Sequence, residues 1–101
     1  MASRLKLQST LEEILGSRNV YYQPPESTKM QYDAIKYSKV AMQTRYANNS
    51  TYFGMDRYEL IVISKTLNNP VIDKLLSLPY CSFERAYRAD NLYHDVLTLY
   101  Y

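Results

Sequence analysis

Asp56-Arg57-Tyr58-Glu59-Leu60-Ile61-Val62-Ile63-Ser64 alternates apolar and charged side chains at its start and is apolar at every position from Leu60 to Ile63. Successive side chains of a strand point to opposite faces, so Tyr58, Leu60 and Val62 share one face and Arg57, Glu59, Ile61 and Ile63 the other. One face is apolar throughout and the second becomes so towards the end, the pattern of a strand central to a sheet. A central strand requires partners on both sides, and the rest of the chain is read for them.

Downstream, Asn69 is a natural N-cap and Pro70 suits the first helical position. Val71, Ile72, Leu75, Leu76 and Leu78 make an amphipathic second helix, which Pro79 stops. Tyr80 to Arg88 reads as a strand with Cys81, Phe83 and Tyr87 on one face. Ala89-Asp90-Asn91 is a tight turn, and Leu92 to Tyr101 is the closing strand. Upstream, Tyr32 to Tyr37 is a strand with Ile35 and Tyr37 on one face. Ser38 to Thr51 has no clean period and contains the turn-forming Asn48-Asn49-Ser50. A connection of that length inside a compact domain is uncommon and often functional, which makes it the first candidate for a working surface.

Glu26 to Met30 is a polar connection, and Val20 to Gln23 a short strand halted by Pro24-Pro25. Leu7, Leu11, Ile14 and Leu15 form one stripe of a first helix. Leu5 and Leu7 place its start near Ser3, although Ser9 and Glu12 have capping-box spacing; Gly16 suits its C-terminal end. The expected architecture is a single α+β domain over residues 1–101: a two-layer sandwich, mainly antiparallel sheet, with the N-terminal and second helices packed on one face.

Composition narrows the function. The chain has 101 residues, 12 basic and 10 acidic, a formal net charge of +2 and no basic run of the kind that tracks a phosphate backbone. A single cysteine, Cys81, allows no internal disulfide and fits a reducing compartment. The N-terminus does not read as a secretory signal, and no apolar run approaches the roughly 20 residues of a membrane span. Its most unusual feature is twelve tyrosines beside two phenylalanines and no tryptophan. Tyrosine buries an apolar ring while keeping a hydroxyl that seeks water or a partner, which suits subunit contacts.

Chemistry-bearing constellations are sparse. His94, the only histidine, would have to centre any histidine-dependent site, and Cys81 with His94 makes a nucleophile pair only if their strands register that way. A buried structural cysteine and a strand-face histidine are the plainer reading. Two glycines, Gly16 and Gly54, exclude a glycine-rich phosphate cradle, and Glu12-Glu13 diverge by about 100° on a helix. There is no spacing of metal ligands. No enzyme activity, cofactor or metal is expected. Arg45-Tyr46, Arg57-Tyr58 and Tyr87-Arg88 resemble platforms for stacking single-stranded bases, against which stands simple strand alternation.

Several segments carry a resemblance: Val20-Tyr-Tyr-Gln-Pro-Pro-Glu26, Lys29-Met-Gln-Tyr-Asp-Ala-Ile-Lys-Tyr37, Arg45-Tyr-Ala-Asn-Asn49, Leu78-Pro-Tyr-Cys-Ser-Phe-Glu-Arg85 and Ala89-Asp-Asn-Leu-Tyr-His94. Together they look like small virion proteins of long-tailed bacteriophages, and nearly the whole chain is similar to the tail terminator, or tail-completion, proteins at the head–tail joint. The resemblance implies a homo-oligomeric ring, a hexamer, that caps the tail tube protein and docks on a head-completion or connector protein, with DNA only passing through the lumen. It implies assembly in the host cytoplasm, a place in the virion tail or neck, and no membrane partner. It transfers no catalytic residues. The connector layer itself is the alternative, and a single-stranded nucleic-acid-binding module is the alternative from another class.

A ring needs one face of a subunit to meet a different face of the next. From the residues of this chain, the expected contact surface comprises Arg45, Tyr46, Asn48 and Tyr52 in the long loop. Tyr100 and Tyr101 join it at the chain end, expected on an edge strand.

Overall fold

The computed structural model describes residues 4–24, 29–41, 56–66 and 69–101. Its elements run α1 (Arg4–Leu15), β1 (Val20–Tyr22), β2 (Ala34–Ala41), β3 (Arg57–Ser64), α2 (Pro70–Leu76), β4 (Cys81–Ala89) and β5 (Leu92–Tyr100). The five strands form one sheet in the order β1-β2-β3-β5-β4, so β3 is central, as its two apolar faces require. All neighbours are antiparallel except β1, which lies parallel to β2. The fold is α+β, with both helices on the same face of the sheet.

The core fills the layer between that face and the helices. Leu7 and Leu11 of α1 and Val71 and Leu75 of α2 meet Ile35, Tyr37, Leu60, Val62, Leu97 and Leu99 of the sheet. These side chains are almost wholly removed from water. Each buried aliphatic side chain contributes about 1.5–3 kcal/mol by leaving water, which is what holds two short helices on a sheet. Gly16 ends α1 at φ +81°, where its amide bonds back to the Glu12 carbonyl at 2.9 Å. At the other helix Asn69 caps and Pro70 opens α2, as the sequence predicts. Leu76, read as part of the apolar stripe, is instead 39% exposed.

Three expectations are corrected by pairing that is long-range in sequence. First, the strand read over 32–37 lies at Ala34–Ala41, and residues 38–41, assigned to the loop, continue the ladder: Ser38 pairs with Glu59 and Lys39 with Tyr58. Lys39 is held there by Asp56 at 3.1 Å, an ion pair between polar residues that carry no apolar period for a reader of the sequence. Second, Cys81, Phe83 and Tyr87 do not share a face. The register of β4 on β5 slips between Phe83 and Arg85, a β-bulge at Glu84. Cys81 and Phe83 therefore stand on the helix side, with Leu99 and Leu97, while Tyr87 pairs with His94 on the other side. Third, Tyr100 closes β5, which lies between β3 and β4, not at an edge.

Candidate interaction surface

The tyrosines separate into core and surface. Tyr37 is 1% exposed and Tyr58 3%, so both are core residues. Tyr37 sits between Tyr22 and Tyr58, with ring centroids 4.9 and 6.0 Å away and tilted planes. Its hydroxyl donates to Gln8 Oε1 at 2.5 Å and accepts from the Arg4 guanidinium at 3.3 Å. Arg4 also lies 4.3 Å over the Tyr22 ring. Burial raises the Tyr37 and Tyr58 hydroxyls above the ordinary phenol range. α1 is thus fastened to the sheet through tyrosine hydroxyls and faces, a use of tyrosine that composition alone attributes to subunit contact.

The residues proposed from sequence as a contact surface fall in two groups. Arg45, Tyr46, Asn48 and Tyr52 lie outside the described residues. Tyr101 packs its partly buried ring against the core, and its backbone exchanges hydrogen bonds with Asp56 at 3.0 and 3.1 Å. Tyr100 precedes it on the opposite face, half-buried, with its amide bonded to the Tyr80 carbonyl. The chain end therefore closes the sheet interior.

The two edges of the sheet differ. β1 turns the backbone groups of Val20 and Tyr22 away from β2, but the Val20 carbonyl accepts from Gln8 Nε2 of α1 at 3.0 Å. At the other end β4 has no neighbour among the described residues, and every position from Ser82 to Arg88 is exposed. Phe83, Tyr80 and Tyr87 are each more than 40% exposed there. An unpaired row of backbone donors and acceptors is a template for another chain, and the bulge at Glu84 shortens the straight part of it. Asp90 and Asn91, at φ 52° and 62°, make the two-residue turn that fixes the β4–β5 hairpin.

The Cys81–His94 pair is not formed. Cys81 faces Leu99, five residues along β5 from His94, about 17 Å at strand rise, and the two side chains lie on opposite faces. Burial pushes the Cys81 thiol up to about 11, so it is no thiolate at neutral pH. His94 instead stacks on Tyr87 at 4.7 Å, with planes 13° apart. Among the described residues no group of three or more His, Cys, Asp or Glu is placed to hold a metal ion, and no helix is long and apolar enough to cross a membrane.

Nor do two of the Arg–Tyr dipeptides make stacking platforms: Tyr58 is buried beside an exposed Arg57, and Tyr87 and Arg88 point to opposite faces. The third, Arg45-Tyr46, lies outside the described residues.

One feature was invisible in the sequence. A cleft between the start of α2 and the β4–β5 hairpin is walled by Ile72 and Asp73 and floored by Ala86, Tyr93 and Asp95. Burial holds the Asp95 carboxyl above the usual carboxylate range, with the neighbouring His94 opposing that shift. Asp73 of α2 lines the same cleft, and Arg88, which pairs with Tyr93 on the adjoining strand, is parked 5.3 Å over the Tyr93 ring. Among the described residues no cation lies within 4 Å of Asp73 or Asp95. A carboxyl whose folded pKa exceeds its unfolded one is protonated more readily in the folded protein, so its contribution to stability is lost as pH rises through the folded pKa. Asp95→Asn is therefore expected to raise the melting temperature of the monomer at pH 7, with the gain vanishing below the ordinary aspartate pKa near 3.9. Thermal melts of both proteins from pH 3 to pH 8 check this; a gain that does not depend on pH discards the cause given. Comparison of the chain with family models, with curated proteins and with solved structures finds no match.

Proposed function

We propose that this chain is a structural assembly protein of a long-tailed phage virion, the ring-forming subunit that ends the tail tube and joins it to the head connector. The observation that carries the reading is the asymmetry of the sheet: Gln8 of α1 caps the Val20 carbonyl on one edge, whereas β4 on the other has no neighbour among the described residues and carries exposed aromatic side chains. Such a subunit is built to be continued by another chain. The resemblance of the sequence segments to tail terminators supplies the identity of the assembly.

The test is assembly. The protein is added to growing tubes of a tail tube protein from the same phage, and the tubes are viewed by electron microscopy. Tubes that stop lengthening and carry a six-fold ring at one end support the reading. Continued growth, with binding to the portal ring instead, moves the protein to the connector layer. Binding to single-stranded DNA that weakens steeply with salt, without association with tubes, replaces it by a nucleic-acid module.

A further inference from the structure

We infer that the open edge of β4 is a self-pairing surface: two copies of this chain join their β4 strands antiparallel about a two-fold axis at Tyr87, and Arg88 of each copy enters the cleft of the other to meet Asp73 and Asp95.

The hairpin geometry sets which backbone groups are available. In a two-residue hairpin the closing pair, here Ala89 and Leu92, is hydrogen-bonded, and bonded pairs then alternate along the ladder. Tyr87–His94 and Arg85–Val96 are bonded pairs, so the N–H and C=O groups of Ala86 and Arg88 point away from β5 to the open edge. A second copy running antiparallel can bond Ala86 to Arg88 and Arg88 to Ala86, with the two Tyr87 residues facing each other on the axis. The bulge at Glu84 stops the ladder on one side and the Asp90-Asn91 turn stops it on the other. That leaves a short pairing with a single register.

The side chains fit the same register. Ala86, Arg88, Tyr93 and Asp95 stand on the α2 side of the sheet. Directly opposite residues of an antiparallel pair point to the same side, so the incoming Arg88 stands beside Ala86, with Asp95 one strand further on. Two strand spacings are about 10 Å, which an extended arginine and a carboxylate span together. Only the methyl group of Ala86 lies between them. Among the described residues, the cleft offers two carboxylates without a cation and the edge offers an arginine without an ion pair. This complementarity selects a second copy over an apolar partner, and the buried side of Asp95 gains the counter-charge it lacks. On the other face the exposed Tyr87 rings, each stacked on its own His94, meet across the axis.

The contact is isologous and closes on itself. It goes beyond the ring reading, since it concerns the free protein and covers the open edge before any assembly; a ring contact through the same edge must displace it.

Sedimentation equilibrium of the free 101-residue chain, from low-micromolar to near-millimolar concentration, is the test. A dimer is expected, weakened about tenfold or more by Arg88→Glu and restored by Arg88→Glu combined with Asp73→Arg. Arg88 and Asp73 are exposed in the single chain, so both variants retain the fold, which far-ultraviolet circular dichroism verifies. Hydrogen exchange supplies a second readout: the Ala86 and Arg88 amides slow on dimerisation, while that of Tyr87, already bonded to β5, does not. A monomer at all concentrations overturns the inference, as does a dimer indifferent to Arg88→Glu or not restored by the charge swap. None of these outcomes bears on tube capping, so the two readings fail separately.

Discussion

Tyr37→Ala is expected to remove a large share of the stability of this domain. The ring is fully buried between Tyr22 and Tyr58 under α1, and removing a buried aromatic costs about 3–5 kcal/mol in lost transfer energy and cavity. Domains of this size have about 5–15 kcal/mol in total. The melting temperature should fall by roughly 15 °C or more, or the chain should fail to fold. Tyr37→Phe separates the ring from its hydroxyl: it retains the packing and leaves Gln8 Oε1 and Arg4 without their partner, for about 1 kcal/mol. Urea unfolding of both variants decides the matter. A Tyr37→Phe loss as large as that of Tyr37→Ala would place the energy in the hydroxyl network and not in the ring.

Asn69→Ala is expected to cost about 2–3 kcal/mol, more than the roughly 1 kcal/mol of an ordinary N-cap. The Asn69 side chain accepts from the Val71 amide at 2.9 Å, as a cap should. Its Nδ2 also donates to Ser64 Oγ at 2.8 Å and to Asp33 Oδ2 at 3.2 Å. Asp33 in turn accepts from the Lys65 amide, and its carbonyl from Asn19 Nδ2. One amide therefore ties the start of α2 to the end of β3 and the entry of β2, and Ser64 is wholly buried. Truncation leaves buried polar atoms unpaired, which adds to the loss of the cap. Asn69→Asp keeps the acceptor and removes the donor, placing a second carboxylate beside Asp33; it should be no better than alanine. Equal melting temperatures for wild type and Asn69→Ala would show that the network contributes nothing.

Both predictions mark where sequence reading stops. That Asn69 caps α2 followed from Asn-Pro at the head of an apolar stripe, because capping is a local rule. That Asp33, 36 residues away, shares its amide followed from nothing local. Alternation puts Tyr37 on one face with Ile35, but only the packing of α1 over that face makes it core and not contact. The candidate contact residues divide similarly. Tyr100 and Tyr101 read as an edge because they end the chain, whereas pairing puts β5 between β3 and β4. The cleft at Asp95 unites residues from α2, β4 and β5, each unremarkable by itself.

From its sequence alone this chain determines its elements, their order, the central position of β3 and the layer of helices on one face. Helical stripes, strand alternation, caps and turn residues act over a few positions and are written in the residues themselves. The tertiary structure decided strand order, which edge stays open and on which face the end of β4 presents its side chains. Alternation counts residues, so the one extra residue at Glu84 reverses the face of everything after it up to the turn. That reversal arises from pairing with β5 and not from any preference of Glu84. It sends Tyr87 to one face of the open edge and leaves Ala86 and Arg88 beside the cleft on the other.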